Sequence, residues 1–331
     1  MRNPKSLAKT MLIGLALLII ASPAWATFPG KNGKIVFVGN QSGTWQLYTI
    51  NPDGSGMDQI TSLPPTNFEL WLPTFSPDGR RILFAHDTAE NPCAPGVFPA
   101  TGCVDLYVIN ADGSGLTRLT DDGLSWFGKW SPDGASIVFG HISKRTNQVV
   151  ISTMKVEANP NGTALTSEFW LSFLPTYTPD GKRIVFISQL DGLVSAAWIM
   201  NTDGSNQSRL TPAALEAGPS DVSPDGQRIL MVSHNNTASP NEILSMNLEL
   251  RERDLTQLTH TQKAHNNAPI YSPDGRKIVF VSDRFSSNLS LDLFTMNADG
   301  SDVARIASGL TLGGCPDGNC VGPSWGPKPK Q

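Results

Sequence analysis

The sequence predicts an all-β fold, a six-bladed β-propeller built from four-stranded antiparallel blades. Three observations predict it. A Ser/Thr-Pro-Asp-Gly turn opens at Ser76, Ser131, Thr178, Ser223 and Ser272, and each copy is followed by an aliphatic run. The gaps between copies are 55, 47, 45 and 49 residues, a period that belongs to solenoids, propellers or arrays. The chain also begins with the second half of a unit, KNGKIVF (31–37), and ends with the first half of one, VGPSWGP (321–327). Joining the halves gives six units.

Each unit reads as four short strands. The first ends in an aromatic residue, at Phe75, Trp130, Tyr177, Tyr271 and Trp325, with Val222 the exception. The second is an unbroken apolar run: Ile35 to Phe37, Ile82 to Phe84, Ile137 to Phe139, Ile184 to Phe186, Ile229 to Met231 and Ile278 to Phe280. Such runs mark strands buried on both faces, the condition of a sheet stacked between two neighbouring sheets. LYTIN (47–51), LYVIN (106–110), WIMN (198–201) and LFTMN (293–297) supply the third strand; RLT (118–120), RLT (209–211) and QLT (257–259) supply a brief fourth.

Two turns connect these strands. In Ser-Pro-Asp-Gly, Pro presets φ at the second turn position and Gly takes the left-handed conformation that lets the hairpin continue. Asn-x-Asp-Gly does the same between strands three and four at 51–54, 110–113, 201–204 and 297–300. NPNG (159–162) replaces it in the third unit and LELRERD (248–254) in the fifth. The C-terminal strand, Val321 to Gly326, is expected to pair with the strand that starts at Lys34. That pairing closes the ring and removes an exposed sheet edge.

Residues 1–26 stand apart. Arg2, Lys5 and Lys9 precede an apolar run from Met11 to Ile20, and Ala24-Trp25-Ala26 offers a small-x-small cleavage site, the pattern of a signal peptide. The run is shorter than the ~20 residues of a membrane span. Residues 27–331 are then the single propeller, with no stable span after cleavage, in the periplasm or outside the cell. Removing three basic residues takes the net charge from −4 to −7, which argues against nucleic acid as a partner. In an oxidising compartment the pairs Cys93/Cys103 and Cys315/Cys320 read as two local disulfides, because short loops close most easily.

The repeats, as in YSPDGRKIVFVSDR (271–284) followed by LFTMNADGS (293–301), resemble those of the TolB-type (WD40-like) β-propeller family over roughly residues 28–327. The resemblance is strong for fold and weak for function, since such repeats serve scaffolds, sensors and enzyme accessory domains alike. It covers the propeller only, without the α/β domain that precedes the propeller in the TolB protein itself.

Antiparallel order places the tight turns on one face and the variable loops on the other. Both cysteine pairs and all five histidines map to the loop-rich face. Four residues before the strand-ending aromatics stand Trp71, Trp126 and Phe173, with Trp170 nearby; the equivalents in the other units are Gly218, Asn267 and Val321. These aromatics form a contact surface or fill gaps between blades. His86 and His141 are candidate polar groups beside them. Lys129 and Asp221, at matching positions, are either channel-facing charges or solvated strand ends. The sequence carries no G-x-S-x-G elbow, no H-E-x-x-H and no Gly-rich phosphate loop, so no catalytic residue, metal or cofactor is expected. The expected function is non-enzymatic: a monomeric envelope protein that binds a protein or peptide. A carbohydrate binder, lyase or hydrolase working at the channel mouth is the alternative.

Overall fold

The computed structural model describes residues 28–64, 71–87, 103–157, 162–190, 196–212, 215, 217–233, 240–285, 291–308 and 322–329. The described strands form six separate four-stranded antiparallel sheets. Their inner strands are Ser324–Pro327 in blade 1, Trp71–Phe75 in blade 2, Ser125–Trp130 in blade 3, Ser172–Tyr177 in blade 4, Ala217–Val222 in blade 5 and Asn266–Tyr271 in blade 6. Each inner strand touches the inner strands of both neighbouring blades, so the six complete a circle.

Blade 1 contains the seam. Its inner strand comes from the C-terminus, and its other strands are Asn32–Gly39, Gln46–Ile50 and Asp58–Gln59. Trp325 stands opposite Ile35 and Ser324 opposite Val36. The indole Nε1 of Trp325 donates to the Gly33 carbonyl at 3.2 Å, and Lys328 N donates to Lys31 O at 2.7 Å.

The second strands behave as their composition requires. Ile35, Ile82, Ile137, Ile184, Ile229 and Ile278 are all fully buried, each contributing about 1.5–3 kcal/mol of transfer free energy. The core lies between blades. Leu83 and Leu106 of blade 2 pack with Trp130 and Phe139 of blade 3, and Val36 of blade 1 packs with Phe75 and Phe84 of blade 2.

The turn residues hold more than their hairpins. Ser76 Oγ donates to Asp78 Oδ1 at 2.6 Å and accepts from Arg81 N at 2.9 Å. The same pair of bonds recurs at Ser131, Thr178, Ser223 and Ser272. That explains why a hydroxyl opens the motif and an Asp follows two residues later. The motif's Gly, at φ near +70° in Gly134, lies against the turn proline of the preceding blade, with a Cβ position 3.5 Å from Pro77. The Asn-x-Asp-Gly glycines lie against preceding blades too: a Cβ on Gly113 would stand 2.6 Å from the Ile60 carbonyl oxygen. Both turns are therefore contacts between blades.

In blades 2 to 6 the inner strand carries an extra residue partway along its length, whereas in blade 1 the extra residue lies on the second strand, between Asn32 and Ile35. In four blades the same position, two residues before the channel-lining level, holds a non-glycine residue with left-handed φ: Leu72 (39°), Phe127 (54°), Leu174 (51°) and Ala268 (50°). Bulges of this kind bend a strand and re-aim its side chains.

Candidate functional site

The loop-rich face is organised by a device that the repeats contain in plain sight. A Leu-Thr or Ile-Thr pair ends the outer strand in five blades, and its hydroxyl accepts from a third-strand amide. Leu47 N donates to Thr61 Oγ1 at 2.9 Å, Leu106 N to Thr120 at 3.0 Å, Ile151 N to Thr166 at 2.9 Å, Ala197 N to Thr211 at 3.1 Å and Ile243 N to Thr259 at 2.9 Å. In three blades that hydroxyl donates onward to a buried third-strand side chain, Gln46, Asp105 or Glu242. Asp105 also accepts from Arg118 Nη2 at 2.5 Å and Gly123 N at 3.0 Å. Glu242 accepts from Thr261 Oγ1 at 2.9 Å and Asn266 Nδ2 at 3.0 Å. Asp105 takes its donors from its own blade and the connection that follows, and Glu242 also reaches Asn266 in the inner strand of blade 6, which makes each acid a fastener.

The aromatic residues singled out by sequence divide. Trp126 is 2% exposed and packs in the core between blades 2 and 3. Its ring stacks on Phe127 at 4.9 Å between centroids. Of the two roles that the sequence leaves open for Trp126, this position matches the filling of a gap between blades, beside the bend at left-handed Phe127. Phe173 is half-buried against the same core. Trp71 opens the inner strand of blade 2.

Trp170 reaches solvent, at 41% exposure, and its neighbour Phe169 is 67% exposed. Both belong to the connection from the outer strand of blade 3 (Thr163–Ala164) to the inner strand of blade 4. Arg145, from the loop after the second strand of blade 3, lies 5.0 Å above the Phe169 ring and pairs with Glu168 at 2.6 Å; Ser143 Oγ donates to the other Glu168 oxygen. The Phe169 end of the aromatic pair is thereby braced by the Arg145–Glu168 ion pair. Sequence reading passes over Phe169 and Arg145 because they occupy connections outside the repeat.

The histidines also separate. His86 is 7% exposed; burial pushes its pKa down to about 4, so the ring is neutral at neutral pH. His141 is half-buried, 3.3 Å from Ser125 Oγ and 3.7 Å from Asp122. Burial lowers its pKa while Asp122 opposes the shift. His234 lies outside the described residues. Among the described residues no three His, Cys, Asp or Glu side chains converge as a metal site would need. Cys103 is buried at the start of the third strand of blade 2, while Cys93, Cys315 and Cys320 lie outside the described residues, as do residues 1–26.

On the axis, the inner strands line a small cavity of about 40 Å³, with one residue per blade at a shared level, Ser324, Thr74, Lys129, Thr176, Asp221 and Ile270, next to the aromatic rings of Phe75, Trp130, Tyr177 and Trp325. All six share one register, opposite the central residue of each second-strand run, as Lys129 stands opposite Val138 and Asp221 opposite Leu230. Lys129 and Asp221 are therefore channel residues. Phe28 joins the lining; the chain just after it is fixed on the turn face, where Gly30 N donates to Pro273 O at 3.2 Å.

Fold and site together define a closed six-bladed propeller with a variable loop face and a narrow channel lined by polar and aromatic residues. The chain belongs to the TolB beta propeller domain family, which matches residues 15–210 and 96–239. It is 30% identical over 220 residues to the Tol-Pal system protein TolB of Francisella tularensis subsp. mediasiatica (strain FSC147), covering 65% of this chain and 46% of that one. The chain thus spans about half the length of the curated relatives it matches. Among solved structures it resembles TolB from Acinetobacter baumannii, with a TM-score of 0.65, 20% identity and coverage of 89% of this chain and 67% of that one. It also resembles an oligogalacturonate lyase solved in complex with manganese, with a TM-score of 0.54, 17% identity and coverage of 85% and 77%. Likenesses at that identity establish the fold alone. Among the described residues no helix is long and apolar enough to cross a membrane.

Proposed function

We propose that this chain is an exported, non-enzymatic envelope protein that binds a protein or peptide on its loop-rich face. The observation that carries the reading is the Phe169–Trp170 pair, exposed on that face and braced by Arg145 and Glu168. Aromatic anchors with charged neighbours at their rim are the usual centre of a protein-binding patch. The similarity to Tol-Pal system proteins supports a partner within the envelope. The reading includes cleavage after Ala26, a periplasmic or secreted monomer, and local disulfides Cys93/Cys103 and Cys315/Cys320. Trp71 and Phe173, with His141, complete the proposed contact region.

The test is capture of partners from the native envelope by the wild type and by Phe169→Ala plus Trp170→Ala. Both residues are exposed, so the double variant should melt at the wild-type temperature and lose the captured protein. Equal capture by a folded double variant would remove the aromatic pair from the binding surface.

A further inference from the structure

The six channel residues are not equivalent in what they have left to offer. Asp221 already has a wall partner, since its Oδ2 accepts from Tyr271 N at 2.8 Å. Ser324 Oγ accepts from Phe75 N at 3.3 Å, and Ile270 has no polar group. Trp130, which backs Lys129, spends its indole N–H on the Thr74 carbonyl at 3.2 Å.

Lys129 is different. Among the described residues its ammonium has no hydrogen-bond acceptor and no carboxylate within 4.0 Å. What surface it keeps belongs to the channel. Burial pushes its pKa below the usual lysine range, and the charge of Asp221 pulls it partly back. An ammonium removed from bulk water and left unpaired is costly unless something in the cavity compensates it.

The ring order supplies two companions. Thr74 in blade 2 and Thr176 in blade 4 flank Lys129 at the same level, and neither hydroxyl makes a hydrogen bond among the described residues. Three consecutive blades thus present an ammonium between two free hydroxyl donors. One carboxylate has two oxygens and about four acceptor sites, enough to engage all three. A metal cation fits poorly, since hard cations want several oxygens and no neighbouring ammonium.

We propose that the channel is a receptor for a single carboxylate group, held by the Lys129 ammonium and the Thr74 and Thr176 hydroxyls. Two sources supply such a carboxylate, a free small acid and the C-terminus of a peptide. The inference stands on the channel alone, so its failure would leave the partner reading of the loop-rich face untouched. Binding requires the protonated amine, so affinity is highest below the lowered pKa of Lys129 and falls as pH rises through it.

Trp130 and Trp325 line the cavity, which makes intrinsic fluorescence the readout. Sodium acetate is titrated against sodium chloride at matched ionic strength, then triglycine is compared with its C-terminal amide. The expected result is a saturable acetate response in the wild type. Loss of a charge-assisted bond should weaken it about ten-fold or more in Lys129→Met. The exposed control Lys144→Met should match the wild type, and Thr74→Val and Thr176→Val should fall between. Triglycine binding more tightly than acetate, with its amide silent, identifies a peptide end as the source; acetate binding alone identifies a small acid. A wild-type response no different from chloride overturns the proposal, as does an acetate response that survives in folded Lys129→Met. If Lys129→Met does not fold, the pH series on the wild type decides: acetate affinity that fails to drop with rising pH overturns the proposal equally.

Discussion

Trp325 stands opposite Ile35 in the same antiparallel ladder, although nearly the whole chain separates them. Their pairing joins the inner strand to the rest of blade 1, and the Trp325 ring lies in the core shared by blades 6 and 1, with Ile35, Phe37, Ile270 and Val279. Replacing Trp325 with Ala should cost about 3–5 kcal/mol and should act on the whole ring, since an opened seam exposes two sheet edges. Urea unfolding monitored by circular dichroism checks this. A cost below that of an ordinary surface substitution would mean that the ring does not depend on its seam.

The pH dependence of stability should carry a mark from His86. Its ring lies edge-on to Tyr107 at 5.9 Å, with Asp87 Oδ1 at 3.6 Å from Nδ1. The folded-state pKa of about 4 lies below the ordinary 6.5, so the unfolded chain takes up the proton first. The associated stability is complete above pH ~6.5 and is lost as pH falls towards ~4, to a total of about 3 kcal/mol. Equilibrium unfolding at several pH values should show a shallower acid decline for His86→Phe than for the wild type. Parallel curves would contradict the buried neutral state.

Gly113 tests the double role of the turns. At φ +87° a side chain is strained, and its Cβ would also meet the carbonyl oxygen of Ile60 in the preceding blade at 2.6 Å. Gly113→Ala should therefore cost more than the ~1 kcal/mol expected of strain in an isolated turn. Gly43, at φ +84° with nothing within 4 Å of a Cβ, is the matched control. Thermal melts of the two variants separate strain from contact.

The threonine fasteners admit a comparable pair. Thr120 accepts from Leu106 N and donates to buried Asp105 at 2.8 Å. Thr120→Val leaves Leu106 N without its acceptor and removes one of the three donors to Asp105, and should cost roughly 1–3 kcal/mol. Thr117→Val, on the same exposed outer strand, loses a bond to the Gly115 carbonyl and should change stability little. Similar losses in the two variants would show that the Asp105 network contributes nothing beyond an exposed hydroxyl.

The repeats made the architecture legible because the same physical demand recurs in every blade. A doubly buried strand needs an unbroken Ile-Val-Phe run, and a tight hairpin needs Pro, Asp and Gly in fixed order, so six copies of the run, five of the turn and the split end units announced the ring and its closure. The candidate site was less legible because its residues answer no repeated demand. Trp71, Trp126 and Phe173 occupy matching positions in three blades, yet Trp126 is 2% exposed while the neighbouring connection raises Trp170 to 41%. Which side of a strand an aromatic takes depends on the backbone bend at residues such as Phe127, and left-handed φ at a non-glycine position has no signature in one sequence. Phe169 and Arg145 meet across two connections, a contact that spacing cannot forecast. Lys129 and Asp221 were visible as matching positions, but their different bonding partners emerged only with the ring assembled.

The two described ends leave the disc from one side. Gly30 is bonded to Pro273 in a Ser-Pro-Asp-Gly turn, and Pro327 and Pro329 crowd Gly79 of another. A short link joined at Gly30 or Pro329 therefore starts from the tight-turn side. A fusion partner, an affinity handle or an anchoring segment attached there would hold the aromatic pair at Phe169 and Trp170 facing outward, away from the point of attachment.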